Sequence, residues 1–211
     1  MAFGPKNFYY ERVIPQLERY ISKSSTADVG DPSFRDIAIE CAGSLFHLRD
    51  HLVSIFGDKF TRYHVANLCP SYDLIGDIYN ASKHAYLNRK GRLIDDYTSV
   101  LDGAFVSRFK DEHGVYSKNQ TVVFVTPKGE PAIDVLKLCI EVYNFWTGLL
   151  RDRGLITDPE FMRYPGDDWH PRDLLTDSVS FDVKVHEKIC HRDIKVVVRA
   201  YDNSSKTFVY G

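Results

Sequence analysis

The sequence predicts an α+β fold, helical in its first half and strand-rich in its second. Three observations carry this. Apolar residues recur at helical spacing over most of residues 7–88. The chain changes character at "RKGRLIDD", Arg89–Asp96, and alternating apolar segments separated by turn residues follow. One long amphipathic helix interrupts those segments, so helices and hairpins are arranged in blocks rather than in βαβ alternation. The division is a helical part over 1–90, of about three helices in bundle-like packing, and a strand-rich part over 91–211. Together they are read as one domain over 1–211.

The first helix spans Asn7 to about Lys23, with Phe8, Val13, Leu17, Tyr20 and Ile21 on its apolar side. Pro15 is expected to kink it or move its start, because proline lacks the amide hydrogen a helix interior needs. After the polar loop "SSTADVGDPS", a second helix opens at Asp31 or Ser33 and stops at Gly57. Asp58–Leu68 carries no clear period. Pro70 and Ser71 begin a third helix reaching about Asn88. Ser99–Phe109 and Val115–Val125 alternate as strands and are joined as an antiparallel hairpin by "KDEHG". A helix follows at about 131–153, ending near Gly154, then a Pro-, Gly- and Asp-rich loop over 157–173. The tail reads as strands at Ser178–Ile189, Asp193–Tyr201 and Lys206–Tyr210.

Composition narrows the function classes. A formal net charge of −2 gives no overall pull toward nucleic acid, and a local basic patch remains compatible with it. No apolar run approaches the length of a membrane span, and "MAFGPKNFYYERV" lacks the pattern of a secretory signal. Cys41, Cys69, Cys139 and Cys190 are too scattered for a disulfide scaffold or a zinc ribbon. A cytoplasmic protein with no membrane partner is expected. Phosphate-binding, dinucleotide and nucleophile-elbow motifs are missing from the sequence, so no cofactor is expected.

Two helical stretches concentrate ionisable residues: "LFHLRDHL", Leu45–Leu52, and "DIYNASKHAYL", Asp77–Leu87. In the second helix Ile37, Ala38, Cys41, Ala42, Leu45, Leu48, Leu52, Val53 and Phe56 form one apolar sector. Arg49 falls within that sector, where it must snorkel or pair. His47, Asp50 and His51 lie on the opposite side, with the two histidines at i,i+4. In the third helix a polar stripe of Asp73, Asp77, Asn80 and His84 borders an apolar centre of Leu74, Ile78 and Ala81. Packing the two helices through their apolar faces makes Asp77 the expected partner of Arg49, with Asn80 and His84 in the same cluster. Arg49, His84, Asn80 and Asp77 are therefore the candidate catalytic set. His47, Asp50, His51, Lys83 (which points away from the stripe) and Trp169 of the long loop are candidate binding residues. A metal at His47, Asp50 and His51 is disfavoured by the neighbouring Arg49, so no metal site is expected.

The pair "FHLRDHL" and "DIYNASKH" resembles a group of bacterial proteins with a similar helical pair. It is distantly similar to the HEPN superfamily, helical proteins that include many ribonuclease toxins and phage-defence factors. The resemblance covers about Asp31 to Leu87. It implies RNA binding or cleavage in stress or phage defence, with Arg49 facing phosphate and His84, His47 or His51 transferring the proton. The chain departs from the family pattern of an Arg and a His separated by four to six residues within a helix. The matches to that spacing are Arg108 with His113, in the hairpin, and Arg163 with His170, in the long loop. The alternative is a non-catalytic module, structural or binding a protein partner or a second copy, whose Arg/Asp/His cluster only fixes helix packing.

Overall fold

The structure, a computed structural model, describes residues 4–25, 31–83, 91–111, 114–157, 160–163, 195–202 and 207–210. The first helix is one continuous rod: α1 (Pro5–Phe8), a π-helical segment (Tyr9–Val13) and α2 (Ile14–Ser24). Pro15 sits in the first turn of α2 and does not end the rod. Its ring would crowd the carbonyl of Glu11, and the wider π turn immediately before it, in which Ile14 N–H donates to Tyr9 O, relieves that clash. The buried face carries Tyr9, Val13, Leu17 and Tyr20.

The second helix, α3 (Pro32–Phe56), has the expected limits. Asp31 caps it by accepting the Ser33 amide at 2.9 Å, and Pro32 occupies the first turn, where a missing N–H costs nothing. Gly57 ends it at φ +79°, a conformation that favours glycine. A helix not anticipated from periodicity, α4 (Arg62–Leu68), fills the Asp58–Leu68 stretch, with Thr61 capping through the His64 amide at 3.2 Å. Next, α5 (Pro70–Lys83) buries Leu74, Ile78 and Ala81 as expected.

Helices α3 and α5 lock together antiparallel through a reciprocal contact. Each offers glycine followed three residues later by an aromatic: Gly43 and Phe46 in α3, Gly76 and Tyr79 in α5. The Tyr79 ring lies where a Gly43 side chain would stand, and the Phe46 ring lies where a Gly76 side chain would stand. The glycines let the two backbones approach, and the rings fill the space so made. Against this pair packs α6 (Val135–Asp152), started by Asp134, whose carboxylate accepts the Leu136 amide at 2.8 Å. Trp146 of α6 is fully buried and donates its indole N–H to Leu45 O of α3 at 3.0 Å, which satisfies its one polar atom. Tyr9 stacks on Tyr143 and shares a 2.6 Å hydrogen bond with Thr147, tying the first rod to α6.

The fold is α+β. Strands β1 (Val100–Asp111) and β2 (Gly114–Val125) form the expected antiparallel hairpin, in register from Val100 opposite Val125 to Asp111 opposite Gly114. The sheet continues with β3 (Ile133–Asp134) beside β2, and with β4 (Lys195–Asp202) and β5 (Thr207–Tyr210), in the order β3-β2-β1-β4-β5. β4 and β5 pair as an antiparallel hairpin, but β1 and β4 are parallel, with Gly103 opposite Lys195. Local hairpin patterns do not show this, because a parallel pair needs a crossover, and here that path runs through α6. Val100, Val123 and Val125 of the sheet join the same apolar core as the helices. The expected strand at Ser178–Ile189 lies outside the described residues.

Candidate functional site

The polar residues divide into two centres. The first is buried and built around Asp77 of α5, which is 1% exposed. Its Oδ1 accepts Arg62 Nη2 at 2.8 Å and faces Arg92 Nη1 at 3.7 Å, while its Oδ2 accepts the Leu93 amide at 2.8 Å. Arg62 also donates through Nε to Asp73 Oδ1 at 2.5 Å and through Nη2 to Asp73 O at 2.9 Å, and its guanidinium lies 5.2 Å from the Phe46 ring centre. Burial alone would disfavour the Arg62 charge. Asp77 and Asp73 outweigh that cost and hold its pKa above the ordinary value. This centre welds α4, α5 and the chain entering the sheet.

The expected Arg49–Asp77 pair is therefore not formed. Asp77 is occupied by Arg62, Arg92 and Leu93, and Arg49 instead pairs with its neighbour Asp50. Arg49 is partly exposed, so it resolves its place in the apolar sector by snorkelling and pairing at once. Asn80 turns back on its own helix, donating to Gly76 O at 2.7 Å. The Lys83 ammonium sits 4.0 Å from the Tyr79 ring centre and lines a shallow groove with Asp36, Glu40 and Tyr97. His84 and Trp169 lie outside the described residues.

The second centre is a groove of about 530 Å³ between the N-terminal rod and α3. It gathers His47, Asp50 and His51 with four residues that the sequence reading did not single out, Arg12, Gln16, Glu40 and Tyr79. The rod and α3 run antiparallel, as the paired contacts at the two ends of the groove show. At one end Phe8 and His51 stack with ring centres 4.0 Å apart, and at the other Arg19 bonds Glu40 at 3.1 Å. The floor is low because Gly43 has no side chain and Tyr79 fills that vacancy from below, with its ring edge-on to His47 at 5.0 Å.

Asp50 is the electrostatic hinge of the groove. It receives Arg49 on one oxygen and meets His47 Nδ1 at 2.9 Å with the other. Burial works against its charge, but His47 and Arg49 prevail and hold its carboxyl below the usual range. A carboxylate can only accept, so His47 Nδ1 carries a proton in this pair and Nε2 is the nitrogen left for other chemistry. Arg12, exposed on the opposite wall, makes no ion pair among the described residues. Among those residues no group of three or more His, Cys, Asp or Glu is placed to hold a metal, and no helix is long and apolar enough to cross a membrane.

Arg12 and Gln16 were legible in principle, since Phe8, Arg12 and Gln16 recur every four residues along one face of the rod. Which face of α3 they meet is a tertiary fact. Comparison with known proteins finds no matching family, no matching curated protein and no matching solved structure.

Proposed function

We propose that the groove between the N-terminal rod and α3 binds RNA and cleaves its phosphodiester backbone, as a cytoplasmic HEPN-like protein of stress or phage defence would. The observation that carries this reading is the His47–Asp50 pair at 2.9 Å, opening on a groove whose far wall presents Arg12. An imidazole fixed through Nδ1 by a carboxylate is the arrangement general base catalysis uses. In this reading the ribose 2′-oxygen attacks the adjacent phosphorus and its proton passes to His47 Nε2. The bond from phosphorus to the 5′-oxygen breaks, and His51 returns a proton to that leaving oxygen, so a 2′,3′-cyclic phosphate remains. Arg12 neutralises the charge on the non-bridging oxygens. Arg49 acts through Asp50, as a positioning residue rather than the phosphate contact.

A second reading is favoured by a separate observation. Asp77 is saturated by Arg62 and the Leu93 amide, so that this member of the candidate set fixes helix packing. Exposed Tyr63 and Leu68 on α4 suit a non-catalytic module that binds a protein partner or a second copy.

Incubating single-stranded RNA with wild type, His47→Gln and Arg12→Ala separates the two. Cleavage in wild type that falls about 10²–10⁴-fold in His47→Gln, with unchanged thermal melting, supports the first reading. RNA that stays intact with wild-type protein supports the second.

A further inference from the structure

We infer that the RNA strand runs on from the His47 groove, across Tyr79, into the neighbouring groove, where Lys83 takes the next phosphate. The inference rests on the RNA reading above and adds a second phosphate site to it, and with that site a dependence on strand length.

Two grooves lie end to end along α3. The first holds His47 and Arg12. The second, of about 400 Å³, lies between Asp36 of α3, Ser82 and Lys83 of α5, and Tyr97. Glu40 lines both, so the two adjoin there. On α3, Asp36, Glu40, Gly43 and His47 follow one another at helical spacing and share one side of the helix. From Asp36 to His47 that side is about 16 Å long, which makes the two grooves one track for an extended strand.

Tyr79 is the step between the two grooves. Its ring meets His47 edge-on at 5.0 Å, and the Lys83 ammonium, one turn further along α5, lies over it at 4.0 Å from the ring centre. Attraction to the ring holds a long, exposed side chain in that place. The ammonium therefore stands no further from the His47 imidazole than the sum of those two distances, a gap that one nucleotide of an extended strand bridges. A phosphate at His47 and Arg12 puts the next one against Lys83. Glu40, at the junction, is already bridged by Arg19 at 3.1 Å, which offsets its repulsion of a passing phosphate. Asp36 makes no ion pair among the described residues and opposes a phosphate in the second groove. Lysine meets phosphate as a point charge, so the second site adds affinity without reading a base.

The test is calorimetric binding of a thymidine dinucleotide, which carries one phosphate, and a thymidine trinucleotide, which carries two. Neither has the attacking 2′-hydroxyl, so both stay intact. Each is titrated into the full chain, Lys83→Gln and Asp36→Asn across a range of salt, with thermal melting as the folding control. Wild type is expected to bind the trinucleotide about tenfold tighter, with a salt dependence steeper by roughly 0.7 in logarithmic slope, the share of one further phosphate contact. Lys83→Gln is expected to lose both differences while binding the dinucleotide as wild type does, whereas a merely structural lysine would alter both lengths alike. Asp36→Asn is expected to tighten the trinucleotide alone. Equal binding of the two lengths by wild type, or a length dependence that survives Lys83→Gln, overturns the inference. If RNA is cleaved in a His47-dependent way while both lengths bind equally, the second site is wrong and the RNA reading stands. Length-dependent binding through Lys83 without RNA cleavage keeps the site and removes the catalysis. If wild type neither binds these strands nor cleaves RNA, both fall.

Discussion

Replacing Asp77 by Asn keeps the shape of the side chain and removes its charge. In the folded protein that charge faces two arginines, both largely buried, at 2.8 Å for Arg62 and 3.7 Å for Arg92. Arg62 retains Asp73, so the loss there is partial. Arg92 loses its counter-ion while its Nε and Nη1, buried and without a hydrogen bond, gain no replacement. The Leu93 amide still finds an oxygen if the Asn amide is oriented toward it. Removing one partner of a buried ion pair costs about 3–5 kcal/mol, and with Asp73 still in place the lower end, about 3 kcal/mol, applies. Against a total stability of roughly 5–15 kcal/mol the variant still folds at 25 °C. Its melting temperature falls by about 6–12 °C for a chain of this size. Thermal melting and urea unfolding read this directly. A loss below about 1 kcal/mol would refute the reasoning, because Asp77 would then behave as an exposed carboxylate rather than the centre of a buried network.

Gly76→Ala gains helix propensity of about 1 kcal/mol in an unhindered helix, yet here the added methyl meets the Phe46 ring. A net destabilisation of about 1–3 kcal/mol is expected, partly recovered when Phe46→Leu is combined with it. Simple additivity of the two in a double-mutant cycle would show that the ring and the glycine are not in contact. For Asp50, the folded pKa is lowered, so its stabilising contribution is complete above the unfolded value near ~3.9 and is lost as pH falls through the lower folded value. The difference in melting temperature between wild type and Asp50→Asn should therefore be full at pH 7 and close below about pH 4. A difference that grows on acidification would contradict the sign of that shift.

Helix limits were legible where the chain carries its own punctuation. Asp31 with Ser33 starts α3 and Gly57 stops it, and both signals act within a few residues. The apolar sector of α3 was legible from phasing, since Ile37, Ala38, Cys41, Ala42, Leu45, Leu48 and Leu52 are all buried. The partner of Asp77 was not. Phasing says which face of a helix is apolar and leaves open what that face meets; Arg62 arrives from α4, a helix of seven residues that is too short to show a period. The parallel pairing of β1 with β4 was hidden for a related reason, because strand alternation is the same in either direction. The reciprocal Gly43–Tyr79 and Gly76–Phe46 contacts did leave a mark, the same glycine-to-aromatic spacing in two helices. At the candidate site, the two histidines and Asp50 fell on one face as expected. Arg12 and Gln16 come from a rod whose docking against α3 depends on core residues such as Tyr9 and Leu17.

The central claim is that chemistry resides in the His47 groove while the Asp77 network holds the helices together. One paired measurement tests it most directly: the rate of single-stranded RNA cleavage at 25 °C and the melting temperature, both taken for His47→Gln and for Asp77→Asn. The account predicts that His47→Gln loses cleavage about 10²–10⁴-fold with little change in melting, and that Asp77→Asn melts early yet cleaves at close to the wild-type rate. Cleavage that survives His47→Gln, or that disappears in folded Asp77→Asn, would contradict it.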